Sequence, residues 1–88
     1  MILQVAVWDT YVKRRDGATM HFDIIVPDGT AEARVHEIGR AYLMEKRQEA
    51  QPFTSRECRF CHVEHADEET LAGIRAHGYF IYEMENCH

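Results

Sequence analysis

Apolar side chains recur at period two along the first dozen residues. Leu3, Val5, Val7 and Tyr11 share one face of a segment, Ile2 to Val12, that is rich in Val, Trp, Tyr and Thr. Alternation with β-branched and aromatic residues predicts a strand. "KRRDGA" follows, and its Asp16-Gly17 pair is the signature of a two-residue hairpin. Thr19 to Val26 reads as the returning strand, closed by Pro27, which cannot continue a ladder. A turn centred on Asp16-Gly17 sets Val12 opposite His21, Tyr11 opposite Phe22, Thr10 opposite Asp23 and Trp8 opposite Ile25. Phe22, Ile24 and Val26 then join Val5, Val7 and Tyr11 on one apolar face, and Trp8, Thr10, His21 and Asp23 fall on the other.

The period changes to a helical one after Pro27. Ala31, Val35, Ile38 and Tyr42, widened by Gly39 and Leu43, form a stripe, with Asp28 or Thr30 as the expected cap. Gln51-Pro52 ends that element. "DEETLAGIRAHG" predicts a second, shorter helix, capped by Asp67 and closed by Gly78, with Leu71 and Ile74 inward. "YFIYEMEN" predicts a last strand, with Phe80, Tyr82 and Met84 on one face and Tyr79, Ile81, Glu83 and Glu85 on the other. Residues 1–88 therefore read as one α+β domain in ββαβαβ order. An N-terminal antiparallel hairpin lies in a four-stranded sheet, with two helices on one face making a second layer.

Between the helices stands "ECRFCHVEH", residues 57–65. Here the order of elements calls for a strand. On an extended strand residues i and i+3 point to opposite faces about 10 Å apart. Cys58 and Cys61 then share neither a zinc ion nor a disulfide. No Gly, Pro, Asn or Asp occurs from Thr54 to Ala66 to make the tight turn a metal knuckle needs. Structural thiols on a strand are the preferred reading, with Cys61 and Val63 on one face and Phe60 and His62 on the other. The alternative is a zinc site of Cys58 and Cys61 completed by Cys87, His62 or His65. C-x-x-C-H also matches covalent haem attachment, but no export signal, axial ligand or wide apolar pocket accompanies it. A redox pair belongs at a helix N-terminus, and the next helix starts only near Asp67. A Cys61–His62 nucleophile is set aside because neighbours on a regular strand point apart.

Two further groups carry candidate chemistry. Trp8, Asp9, Thr10, His21 and Asp23 come together in the hairpin, and a histidine with two carboxylates is material for binding or for general acid–base work. Lys13, Arg14 and Arg15 cluster at the hairpin tip, where they would hold an anion or, more simply, guard the sheet edge.

Composition narrows the picture. The formal charge of −5 repels phosphate backbones, so no nucleic-acid partner is expected. "MILQVAVWDT" lacks a basic leader, no apolar run approaches the ~20 residues of a membrane span, and three cysteines is an odd number. A cytoplasmic location, no membrane partner and no resident cofactor are expected.

"VAVWDTYV", "TMHFDIIVP", "QPFTSRECRFCHVEHA" and "GYFIYEMENC", in this order, make the chain resemble a family of small bacterial domains of unknown function. The resemblance spans nearly the whole chain and implies a compact ββαβαβ domain. It brings no activity, cofactor or site residue. The expected function is a binding or interaction module without catalysis, weakly self-associating through a strand edge. A zinc-binding domain and a small enzyme using Asp9, Thr10, His21 and Asp23 are the alternatives.

Overall fold

A computed structural model describes residues 3–88; Ile2, included in the expected first strand, lies outside the described residues. Strands β1 (Gln4–Lys13), β2 (Thr19–Pro27), β3 (Cys58–His65) and β4 (Phe80–Glu85) form one antiparallel sheet in the order β3-β1-β2-β4. Helix α1 (Glu32–Glu45) follows β2, and α2 (Glu68–His77) joins β3 to β4. The α+β class and the ββαβαβ order are those read from the sequence. Among the described residues no helix is long and apolar enough to cross a membrane.

The hairpin register differs by one residue from the expected one. Arg14 N–H donates to Ala18 O at 2.7 Å, leaving a three-residue loop of Arg15, Asp16 and Gly17. Gly17 sits at φ +92°, in the left-handed region that glycine enters without a Cβ penalty. A three-residue hairpin with glycine at that place is the next commonest solution after the two-residue turn. Asp16 supports it by accepting from Ala18 N–H at 3.0 Å. Partners now run Val12↔Met20, Tyr11↔His21, Thr10↔Phe22, Asp9↔Asp23 and Trp8↔Ile24. Because side chains alternate, the slip re-sorts both faces.

That re-sorting also places the helices. On one face Ala6, Val12, Met20, Phe22, Ile24 and Val26 pack against Val35, Ile38, Tyr42 and Leu43 of α1. On the other, Val5, Val7 and Ile25 pack against Ile74 of α2 and Phe80. The expectation of two helices on one face is therefore corrected: each helix covers its own face, because each face carries an apolar patch. Gly73 of α2 lets Phe80 approach so closely that a Cβ would lie 2.6 Å from its ring.

The α1 stripe is as read from Val35 onward, with Val35, Ile38, Gly39, Tyr42 and Leu43 buried; Ala31, expected to begin it, is exposed, and Leu71 and Ile74 of α2 are half-buried. The α1 cap is not: Ala31 occupies the N-cap without a side-chain bond, and Thr30 Oγ1 instead donates to Pro27 O at 2.6 Å. Asp67 caps α2 by accepting from Thr70 N–H at 2.8 Å, and Gly78 closes it in the left-handed conformation.

Both outer strands carry an irregularity. Opposite β1, β3 passes from His62 (at Val7) to Phe60 (at Trp8), leaving Cys61 as an extra residue. Phe60 and Val63 therefore share the α1 face, instead of opposing each other as regular alternation requires. Opposite β2, β4 passes from Glu83 (at Phe22) to Glu85 (at His21), so the two glutamates face apart. Glu83 accepts from Tyr42 Oη and from Lys46 Nζ, the latter at 2.9 Å. Such bulges bend a strand and re-aim its side chains.

Gly17→Ala tests the turn. Nothing lies within 4 Å of the added Cβ, so the cost is backbone strain alone. A loss of about 1–2 kcal/mol in urea unfolding is expected. An unchanged midpoint would show that this turn does not need glycine.

Candidate functional site

The new register brings Asp9, His21 and Asp23 onto the α2 face, on the part of the sheet that α2 leaves open. Asp9 and Asp23 are direct cross-strand partners, and His21 pairs with Tyr11 on the same face. His21 Nε2 lies 2.8 Å from Asp9 Oδ1. The Tyr11 ring stacks on the imidazole, centroids 4.1 Å apart and 12° from parallel, and fixes its plane. One ligand atom from each of Asp9, His21 and Asp23 lies within 4.8 Å of the others, and all three side chains are half-buried. Burial first, then the charge of Asp9 and a hydrogen bond to it, push the Asp23 carboxyl up to about 6; His21 and His62 pull it back.

Thr10 and Trp8 do not join this group. Both lie on the α1 face, where Thr10 is fully buried and donates to Trp8 O at 3.2 Å. Trp8 packs edge-on against Phe60 at 5.8 Å. The expected Thr10–Asp23 pair is thus replaced by Asp9–Asp23, a consequence of the longer hairpin loop.

Beside the cluster a cavity of about 400 Å³ opens between the sheet and the first turn of α2. Val7, Ile25 and Phe80 give it apolar lining, and Asp23, Glu64, Asp67 and Glu69 supply carboxylates without any lysine or arginine. Sequence reasoning missed Glu64 and Glu69 and read Asp67 only as a helix cap. The signal available was that an acidic helix start follows directly on the strand carrying Glu64.

Arg14 and Arg15 of the hairpin tip are engaged by other parts of the fold. Arg14 is only 10% exposed at its side chain and donates to Asn86 O and His88 O, both at 3.1 Å, as well as to Asp16. Arg15 reaches Glu49, and Gln48, itself buried, accepts from Arg15 N–H at 2.8 Å. Lys13 offers its backbone oxygen to Gln51. Arg14 thus clamps the C-terminal end to the hairpin and is not a free anion-binding group.

Cys58, Cys61, His62, His65 and Cys87 are not gathered at one point. β3 is a strand through both thiols, as expected. Cys58 is buried in the core with its thiol pushed up by burial, while Cys61 is exposed; all three cysteines are free. His65 pairs with Gln4 at the far end of β3. Cys87 follows β4 and donates to Glu85 O at 3.2 Å and His21 O at 3.5 Å. β1 and β2 stand between β3 and β4 in the sheet, and each step across it is about 4.8 Å. Among the described residues, the cluster of metal-ligating side chains is Asp9, His21 and Asp23.

The order of strands, the two bulged edges and the open acidic face can be set beside known proteins. A family model, described as a domain of unknown function (DUF2024), matches residues 3–84. The chain belongs to this family. The solution NMR structure of protein NE1680 from Nitrosomonas europaea, a structural genomics target, is similar to it. The two share 43% identity with a TM-score of 0.85, over 98% of this chain and 100% of that one. No curated protein matches. The DUF2024 assignment supplies the fold and no activity, so function rests on the geometry above.

The Asp9–Asp23 contact has a pH signature in metal-stripped protein. A carboxyl raised from 3.8 to about 6 holds its proton more tightly in the fold than in the unfolded chain. The resulting stability is fully present below pH ~4 and is lost as pH rises through ~6. The amount is about 1–2 kcal/mol once partial exposure to water is allowed for. Urea unfolding of Asp23→Asn should match wild type at pH 4 and exceed it by that amount at pH 7.5. A variant less stable at both values would contradict the assigned repulsion.

Proposed function

We propose that this domain is a small binding module whose ligand is a divalent metal ion, held by Asp9, His21 and Asp23. One observation carries the reading: two carboxylates stand directly opposite each other across β1 and β2, with an imidazole beside them. Like charges so placed destabilise a sheet. Even a charged His21 would offset only one of the two. A bound cation would relieve both and turn the local cost into binding energy.

The donor set suits the harder Mn²⁺ and the borderline Fe²⁺ and Zn²⁺, which accept carboxylate and imidazole together. All three side chains project from paired strands, and Tyr11 holds the His21 ring, so little ordering remains to be done on binding. Asp23 also belongs to the cavity wall. A metal at the cluster would therefore sit at the edge of an acidic cavity that attracts cations and repels anions. The earlier alternative of zinc on Cys58 and Cys61 has no such convergence to support it. Three free thiols accord with a reducing, cytoplasmic setting.

Calorimetric titration of chelator-stripped protein with MnCl₂ and ZnCl₂ tests the assignment. One saturable site is expected. Asp9→Asn and Asp23→Asn should each weaken it at least about tenfold, or ~1.4 kcal/mol. Cys61→Ser and Cys87→Ser should leave it unchanged. Binding that is absent, or indifferent to both aspartates, overturns the proposal.

A further inference from the structure

A second group of reactive side chains lies on β3. His62 Nδ1 is 3.1 Å from Cys61 Sγ, and His62 Nε2 is 2.5 Å from Glu64 Oε1. On a regular strand Cys61 and His62 would point to opposite faces. The bulge removes that alternation: Cys61 is the extra residue between the partners of Val7 and Trp8. The reason for discounting this pair from the sequence therefore does not hold in the fold.

The order of atoms matters. A carboxylate can only accept, so Glu64 favours the tautomer with the proton on Nε2, and neutral His62 then presents its Nδ1 lone pair to the thiol. Thiol, imidazole and carboxylate in that sequence are what an activated nucleophile needs, the third group orienting the base. The other two cysteines lack this setting. Cys58 is buried in the core, and Cys87 directs its thiol to backbone carbonyls.

We infer that Cys61 is a nucleophilic thiol that accepts the acyl group of small activated esters and thioesters, with His62 as base and Glu64 as positioning residue. In the step, the Cys61 proton passes to His62 Nδ1 as sulfur forms a bond to the carbonyl carbon. The tetrahedral adduct collapses, the bond from carbon to the leaving oxygen or sulfur breaks, and the leaving group takes the proton from His62. The product is a thioester on Cys61, with no change in oxidation state. Neutral or cationic acyl compounds are the class that fits, since Glu64 also lines the acidic cavity and anions are repelled there. The inference uses none of the residues assigned to the metal, so either can fail alone.

p-Nitrophenyl acetate is the probe, with nitrophenolate release followed by absorbance and the acetylated cysteine located by peptide mass spectrometry. Acetylation at Cys61 is expected at least about tenfold faster than at Cys87, given what a positioned base contributes. His62→Gln should bring the Cys61 rate down to that of Cys87, and Glu64→Gln should lower it in part. All three side chains are exposed, so these variants should keep the wild-type melting temperature to within a few degrees. Equal rates at Cys61 and Cys87, or a Cys61 rate unchanged by His62→Gln, would overturn the inference. The second result would mean that exposure alone explains the reactivity.

Discussion

The pairing of β1 with β2 is the constraint on which everything else depends. It is set by the Arg14–Ala18 hydrogen bond and by Gly17, which closes a loop of three residues. Shorten that loop by one residue and Thr10 would face Asp23, with Phe22 moved opposite Tyr11. The observed loop instead brings Phe22 and Ile24 opposite Thr10 and Trp8, beneath α1, and frees Val5, Val7 and Ile25 to receive α2. The same slip makes Asp9 the partner of Asp23. Core and candidate site are thus two consequences of one turn.

The outer strands modify what the hairpin fixes. β3 and β4 each carry one irregularity against an inner strand. Bulges at sheet edges discourage pairing with a second sheet, which bears on the expectation of self-association. They also aim side chains. On β4 the bulge sends Glu83 to Tyr42 and Lys46, locking the end of α1, and leaves Glu85 beside His21. On β3 it brings Cys61 against His62. The polar residues of all four strands consequently look out on one open face, next to the acidic first turn of α2.

Much of the fold was legible in the residues. The α1 stripe, the Asp67 cap, the Gly78 stop and the strand character of "CRFCHVEH" all followed from periodicity and capping chemistry. The register did not, for a specific reason. Val5 and Val7 are apolar, but so are Ala6, Trp8 and Val12, and Phe22, Ile24 and Val26 could be matched with either set. Alternation is degenerate when both faces of a strand are buried, and Asp16-Gly17 fits a two-residue or a three-residue loop. The site was legible in its residues, since Asp9, His21 and Asp23 were named. It was not legible in its geometry, because Thr10 and Trp8 share their strands but not their face. The cavity carboxylates were hidden by their ordinary role at a helix start, and the Cys61–His62 contact by a bulge that no local residue announces.

The central claim is that the cross-strand carboxylates and His21 form one cation site. Paramagnetic broadening by Mn²⁺ in amide-resolved NMR spectra reads this most directly. The account predicts that sub-stoichiometric Mn²⁺ erases signals around residues 9, 21 and 23 first, with Tyr11 close behind, while the amides of α1 persist. Broadening spread evenly over the acidic surface, or centred on residues away from that face, would contradict it.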